Sequence, residues 1–354
     1  MILDDFTEFQ KYDPEHMIDR IDTLPDQLLE AWQIGHQHPL PDFSQIHHIL
    51  IAGMGGSAIG ADLLAGYVAN QCQIPVIIHR DYGLPAWAKG AETLIVTSSH
   101  SGNTEESLSA FEQARENRCS IMAITTGGKL AELANQFDIP IWLFPNLGQP
   151  RTAVGYSFGL LLALFARLNL IANPEAELLS SVQTMRQQQQ SLLVNIPTIS
   201  NPAKRMAGQL IGRYVTVIGC GILSPVARRW KCQINELAKA WSQFEYIPEA
   251  NHNTLCGSQN PEELLSKLMV LFLRSPSDEP RNRLRTELSQ KSFMLQGICT
   301  DIIDAKGNTP LANLWSLLHF GDYIAYYLAM AYKTDPTPVA SIEAFKLEMK
   351  QGKD

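Results

Sequence analysis

Leu94-Ile95-Val96-Thr97-Ser98-Ser99-His100-Ser101-Gly102-Asn103-Thr104-Glu105-Glu106 runs from an apolar segment of strand length into a turn made almost wholly of hydroxyls and a glycine. Thr104-Glu105-Glu106 then reads as the start of a helix. The three hydroxyls of Ser99, Ser101 and Thr104, several free backbone N–H groups and the positive end of a helix dipole would converge on one small volume. Such a nest holds a phosphate group without any lysine or arginine. A helix start needs one N-cap residue, so three hydroxyls plus Gly102 exceed the structural requirement.

Working outward, the same alternation recurs. Short apolar runs at residues 48–52, 75–78, 94–97, 121–125 and 139–144 are separated by helix-like segments at 58–69, 104–117 and 129–135. The pattern predicts an α/β fold with a parallel sheet covered by helices on both faces. A helical stretch at 158–170 closes this unit, and a polar connecting helix follows at 175–193, with a glutamine run at Gln187 to Gln190. The pattern restarts at 214–218, recurs at 268–273 and ends in a long helix-like segment at 310–332, so a second unit of similar kind is expected. The expected organisation is a helical arm at 1–44 with breaks at Pro25 and at Pro39 to Pro41, a first domain at 45–174, a connecting helix at 175–200, a second domain at 201–335 and a C-terminal segment at 336–354.

The bulk numbers fit a globular chain of two domains. It has 354 residues, 45% of them hydrophobic and 18% charged, which excludes a disordered protein. A net charge of -8 argues against a nucleic-acid surface or an anionic membrane as partner. Six cysteines (Cys72, Cys119, Cys220, Cys232, Cys256, Cys299) form no CxxC pair and read as reduced thiols. The start, Met1-Ile2-Leu3-Asp4-Asp5, is acidic where a secretion signal is basic. The longest apolar run stops at Arg167 and is too short to cross a bilayer. A cytoplasmic protein is therefore expected. The histidines show no metal-ligand spacing, and no cofactor is expected.

A second glycine-rich turn, Gly53-Met54-Gly55-Gly56-Ser57-Ala58-Ile59-Gly60, follows the apolar run at 48–52. Gly53, Gly55 and Ala58 approximate a dinucleotide fingerprint, but no acidic residue is well placed for a ribose, since Asp81 follows His79-Arg80. A plain tight turn explains the glycines but not Ser57. Gly56 and Ser57 therefore join the candidate phosphate site.

Gly-Gly-Ser after one strand and Ser-x-Ser-Gly-Asn-Thr after a later one resemble the sugar isomerase (SIS) domain family. The chain looks more closely like the bifunctional phosphoglucose/phosphomannose isomerases, which carry two such three-layer αβα domains in tandem. Glu236, in Gln233-Ile234-Asn235-Glu236, could by composition be a solvated helix carboxylate; its apolar neighbours Cys232 and Leu237 also fit the edge of a buried face. The resemblance implies that Glu236 is the general base. It likewise implies a ring-opening role for His252, in Glu249-Ala250-Asn251-His252-Asn253. The same holds for Lys346, in Ile342-Glu343-Ala344-Phe345-Lys346 after Asp335-Pro336. Arg151, after Gln149-Pro150, is a poor helix-start residue electrostatically, and the resemblance gives it the stabilisation of an anionic intermediate.

The implied reaction interconverts glucose 6-phosphate and mannose 6-phosphate with fructose 6-phosphate through a cis-enediol. The implied partner is a small sugar phosphate, and the implied assembly is a homodimer whose subunits share active sites. Competing readings are a non-catalytic sugar-phosphate sensor, which would need neither Glu236 nor His252, and a glucosamine-phosphate isomerase, which would carry an N-terminal cysteine nucleophile. An NAD-dependent oxidoreductase ranks last.

Overall fold

The structure, a computed structural model, describes residues 2–43, 45–146 and 148–352. Two sheets lie at its centre. The first contains β1 (His48–Ala52), β2 (Val76–His79), β3 (Thr93–Ser99), β4 (Ser120–Thr125) and β5 (Ile141–Leu143), in the order β2-β1-β3-β4-β5. The second contains β6 (Tyr214–Cys220), β7 (Ser242–Ile247), β8 (Leu268–Arg274) and β9 (Cys299–Asp304), in the order β7-β6-β8-β9. Every pairing is parallel. The second sheet thus repeats the order of the first four strands, and the turns Gly53-Met54-Gly55 and Gly219-Cys220-Gly221 both end on a glycine at φ +51°. The chain is an α/β protein with two parallel-sheet units.

The N-terminal segment forms α1 (Phe6–Tyr12), α2 (Met17–Asp22) and α3 (Leu24–Gln37). Around the first sheet lie α4 (Gly55–Val68), α5 (Glu105–Glu116), α6 (Gly128–Gln136) and α7 (Val154–Arg167). The polar helix α8 (Glu175–Gln189) leads to α9 (Pro202–Leu210), α10 (Ser224–Leu237), α11 (Glu262–Leu265), α12 (Pro280–Leu295) and α13 (Pro310–Ala331) of the second unit. The last helix is α14 (Ala340–Gln351). Among the described residues no helix is long and apolar enough to cross a membrane, and all six cysteines are free thiols.

Strands that are central and apolar were legible in the sequence; two edge strands were not. β7 (Ser-Gln-Phe-Glu-Tyr-Ile) and β9 (Cys-Thr-Asp-Ile-Ile-Asp) sit at the edges of the second sheet and carry polar residues that blur the apolar signal. Pro25 does not merely break a helix: it stands in the first turn of α3, where its missing N–H costs nothing. The N-terminal helices are also core elements, with Leu24, Leu28, Ala31 and Trp32 buried against the rest.

One continuous apolar cluster joins Ile49, Ile51 and Val96 of the first sheet to Val217, Leu271 and Leu273 of the second, with side chains of α4, α7, α10 and α13 between them. Each sheet has its own smaller core on its outer face. The inner faces are therefore pressed together through four helices, and this brings the carboxyl end of one sheet close to a helix of the other.

At the centre of this layer α13 is tied to the N-terminal helices by polar contacts. The Tyr326 hydroxyl donates to Asp13 at 3.0 Å, the Tyr323 hydroxyl to Asp22, and the His319 Nε2 lies 2.9 Å from the Ile21 carbonyl oxygen. His319 is fully buried, and burial pushes its pKa down to about 4. The unfolded chain then binds a proton that the folded one refuses, so stability falls as pH drops below the ordinary histidine value. This side chain should cost the native state about 2 kcal/mol between pH 6.5 and pH 5. His319→Gln keeps a donor for Ile21 but cannot titrate. Chemical denaturation at the two pH values should show a smaller acid loss in the variant than in the native protein.

Candidate active site

The two glycine-bearing turns stand at the carboxyl ends of β1 and β3, neighbouring strands from which the sheet extends in opposite directions. Open α/β sheets bind ligands at such a switch point. β1 leads into α4, whose first turn carries Gly56 and Ser57. β3 ends at Ser99, and Thr104 is the N-cap of α5. Gly102 adopts φ +66°, and a Cβ there would collide with the Gly127 carbonyl oxygen, so the turn closes only with glycine.

Of the four hydroxyls expected to form a nest, those of Ser99 and Thr104 meet, that of Ser57 reaches the backbone of the same loop, and that of Ser101 bonds within its own turn. Ser57 Oγ accepts from the His100 N–H at 3.2 Å and ties the two turns together. Ser99 Oγ lies 3.0 Å from Thr104 Oγ1 and accepts from the Gly102 N–H at 3.1 Å. Ser101 Oγ accepts from the Asn103 N–H at 3.2 Å. The Asn103 amide then donates to the Ser101 carbonyl and accepts from the Lys129 N–H, which anchors the loop to α6. Thr104 does not cap its own helix through its side chain. Its hydroxyl is paired with Ser99 Oγ instead.

His100, inside the same loop, was not singled out in the sequence. It is buried, its ring stands edge-on to Phe144 at 5.8 Å, and its Nε2 has no hydrogen-bond partner among the described residues. Burial lowers its pKa and keeps the imidazole neutral.

Arg151 lies in a 3-10 turn, Pro150–Thr152, between β5 and α7. Gly56 allows that turn to press on the start of α4, since a Cβ on Gly56 would stand 2.5 Å from the Pro150 carbonyl oxygen. The Arg151 side chain is 3% exposed, and its Nη1 lies 3.7 Å from Oε2 of Glu236, which is 29% exposed. Nη2 donates to the carbonyls of Pro336 and Thr337. Burial lowers the Arg151 pKa from its high ordinary value, and the Glu236 carboxylate opposes that shift. A contact path thus runs from Thr104 through Ser99, the His100 backbone, Ser57, Gly56 and Arg151 to Glu236, across both halves of the chain.

Lys239 also stands here, unforeseen in the sequence. Past the end of α10 it takes φ +53°, turns back and donates to the Glu236 carbonyl at 2.5 Å and the Pro336 carbonyl at 3.4 Å. Burial and then the Arg151 charge lower its pKa. Arg151 and Lys239 together grip the segment 335–337 that leads into α14.

Two candidates are not joined to this path. His252 is exposed at the end of a 3-10 turn, Glu249–His252, after β7, and has no hydrogen bond or ion pair among the described residues. The loop beneath it is anchored: Asn251 donates to Ser289 Oγ at 2.6 Å. Lys346 is exposed on α14, a helix with no buried residue. Among the described residues no group of three or more His, Cys, Asp or Glu side chains forms a potential metal site.

This geometry can be set beside known proteins. Residues 199–349 match a family described as the bacterial phospho-glucose isomerase C-terminal SIS domain. A bifunctional phosphoglucose/phosphomannose isomerase of Caldicellulosiruptor bescii is 36% identical over 342 residues, covering 96% of this chain and 100% of the relative. The enzyme of the same name from Aquifex aeolicus is 32% identical, covering 88% of this chain and 92% of its own. In fold, the crystal structure of a hypothetical protein from Thermus thermophilus superposes with a TM-score of 0.73 at 15% identity, covering 97% of this chain and 91% of the other. With that identity to the two enzymes sustained from end to end, this chain belongs to the bifunctional phosphoglucose/phosphomannose isomerase family.

Proposed function

We propose that this chain is an aldose-ketose isomerase that interconverts glucose 6-phosphate and mannose 6-phosphate with fructose 6-phosphate. The observation that carries this is the buried Arg151 guanidinium held 3.7 Å from Glu236 and seated against the turn that bears Ser57. A carboxylate beside a desolvated cation, next to a nest of hydroxyls and N–H groups, suits proton transfer on a phosphorylated carbon chain.

In this mechanism Ser57, Ser99, Ser101 and Thr104, with Gly56, hold the phosphate, and that remote binding energy orients C1 and C2. Glu236 removes the proton from C2 of the aldose and returns it to C1, leaving the ketose. Arg151 stabilises the enediolate oxygen as its charge develops; being buried, it acts in a low dielectric. Rotation of the enediol about C2–C3 presents either face of C2 to Glu236, so return of the proton there yields glucose 6-phosphate or mannose 6-phosphate. The first domain (45–174) supplies the nest, and the second (201–335) supplies the base.

His252 and Lys346 open the sugar ring, with His252 delivered by the neighbouring subunit of a homodimer. Three features support the dimer. His252 has no intrachain partner among the described residues, its loop is anchored by Asn251, and α14 presents Ile342, Phe345, Leu347 and Met349 to the exterior. The six free thiols support a reducing, cytoplasmic setting.

A coupled assay on protein treated with EDTA should detect fructose 6-phosphate from both aldose phosphates. Glu236→Gln should lower kcat about 10³-fold. Thr104→Val should instead lower kcat/KM about 10-fold, because a hydrogen bond to a charged group is lost. Loss of neither parameter in these variants would refute the assigned roles. The shared site has its own test: Glu236→Gln and His252→Ala chains, each inactive, should recover about a quarter of native activity when co-assembled at random. No recovery would show that each chain uses its own histidine.

A further inference from the structure

Arg151 and Glu236 come from different halves of the chain, so their separation must be set by something that holds a loop to a helix. We propose that Arg229, fixed by Asp322, is the positioning residue for this catalytic pair. This inference rests on the isomerase mechanism above, and it assigns a role to two residues outside the substrate's reach.

Arg229 lies on α10, and its guanidinium is 2% exposed. Its Nε donates to Asp322 Oδ1 at 3.1 Å and its Nη2 to Asp322 Oδ2 at 2.7 Å, a two-pronged contact with α13. The same Nη2 donates to the backbone carbonyl oxygen of Arg151 at 2.7 Å. One planar cation therefore joins α10, α13 and the 3-10 turn that presents Arg151. Next to it, Trp230 Nε1 donates to the Leu317 carbonyl at 2.8 Å and holds the same two helices in register.

Arg229 and Glu236 are seven positions apart on α10, which is close to two full turns, so they project along one stripe of the helix. The backbone of Arg151 is bonded to the first of these residues, and its side chain faces the second. Both ends of Arg151 are thus referenced to a single rigid element, and that element carries the base. The separation of cation and carboxylate then follows the geometry of α10, not the loop.

A purely structural explanation is weaker. A buried ion pair adds little net stability, since desolvation of both partners offsets their attraction, and apolar side chains of similar volume often serve as well. What an apolar pair could not do is bond the Arg151 carbonyl. Lysine could not do all of it either: its single ammonium lacks the planar fork that meets two carboxylate oxygens and a third acceptor together.

The test is steady-state kinetics on Arg229→Lys, Arg229→Met and Asp322→Asn, with melting temperatures alongside. Trp230→Phe is the control, since it loosens the same helix pair without touching the Arg151 turn. Arg229→Met and Asp322→Asn should lower kcat about 10²-fold, as a misplaced catalytic group does, with KM for fructose 6-phosphate within about threefold of native. Arg229→Lys should recover part of kcat. Trp230→Phe should lower the melting temperature and leave kcat near native. Native kcat in Arg229→Met or Asp322→Asn overturns the inference. So does a kcat loss that follows melting temperature along the same line as Trp230→Phe, or an equal change in kcat and KM. Failure of the isomerase mechanism is read separately: Glu236→Gln would then retain native turnover.

Discussion

The Arg151 guanidinium and the Glu236 carboxylate stand 3.7 Å apart, with the arginine almost wholly sealed from water. Isolated burial of a charge is costly, and this one persists because a carboxylate and several carbonyl oxygens surround it. Their meeting depends on the apolar layer between the two sheets, where α4, α7, α10 and α13 interlock as one core. Close packing allows few small adjustments, so helices from the two units hold a fixed relation. The site inherits its geometry from that layer.

Charge is divided in an economical way around this contact. The turns that bear Ser57, Ser99, Ser101 and Thr104 hold no lysine or arginine, and their hydroxyls bond backbone N–H groups of the same loop. The buried cation Arg151 stands instead beside Glu236. Lys239, another nearby cation, is bonded to the carbonyls of Glu236 and Pro336. The segment gripped by Arg151 and Lys239 leads directly into α14, so the helix that bears Lys346 is rooted at the site even though its side chains are exposed.

Much of this was legible before any fold was known. The hydroxyl turn could be read because turn chemistry is local: Ser99, Ser101, Gly102 and Thr104 lie within six positions, and the hydrogen bonds among them span no more than five. Central strands were visible as apolar runs, whereas the edge strands β7 and β9 were hidden by their polar outward residues. The composition around Glu236 left open a solvated helix carboxylate or the edge of a buried face, and it stands partly buried, 29% exposed. His100 was missed, since a histidine among hydroxyls reads as solvated although it packs against Phe144.

The adjacent pair Arg228-Arg229 marks the boundary between the two kinds of information. By itself the sequence determined an alternating β/α chain, a hydroxyl-rich turn at the end of a strand and a helix bearing both arginines and Glu236. It could not distinguish one arginine from the next. In the folded chain Arg228 is 36% exposed and pairs with Asp62 at 2.9 Å, while Arg229 is 2% exposed, clamped to Asp322 and bonded to Arg151. Consecutive residues on a helix project about 100° apart, and only the packing of α10 against α13 decides which of them turns inward.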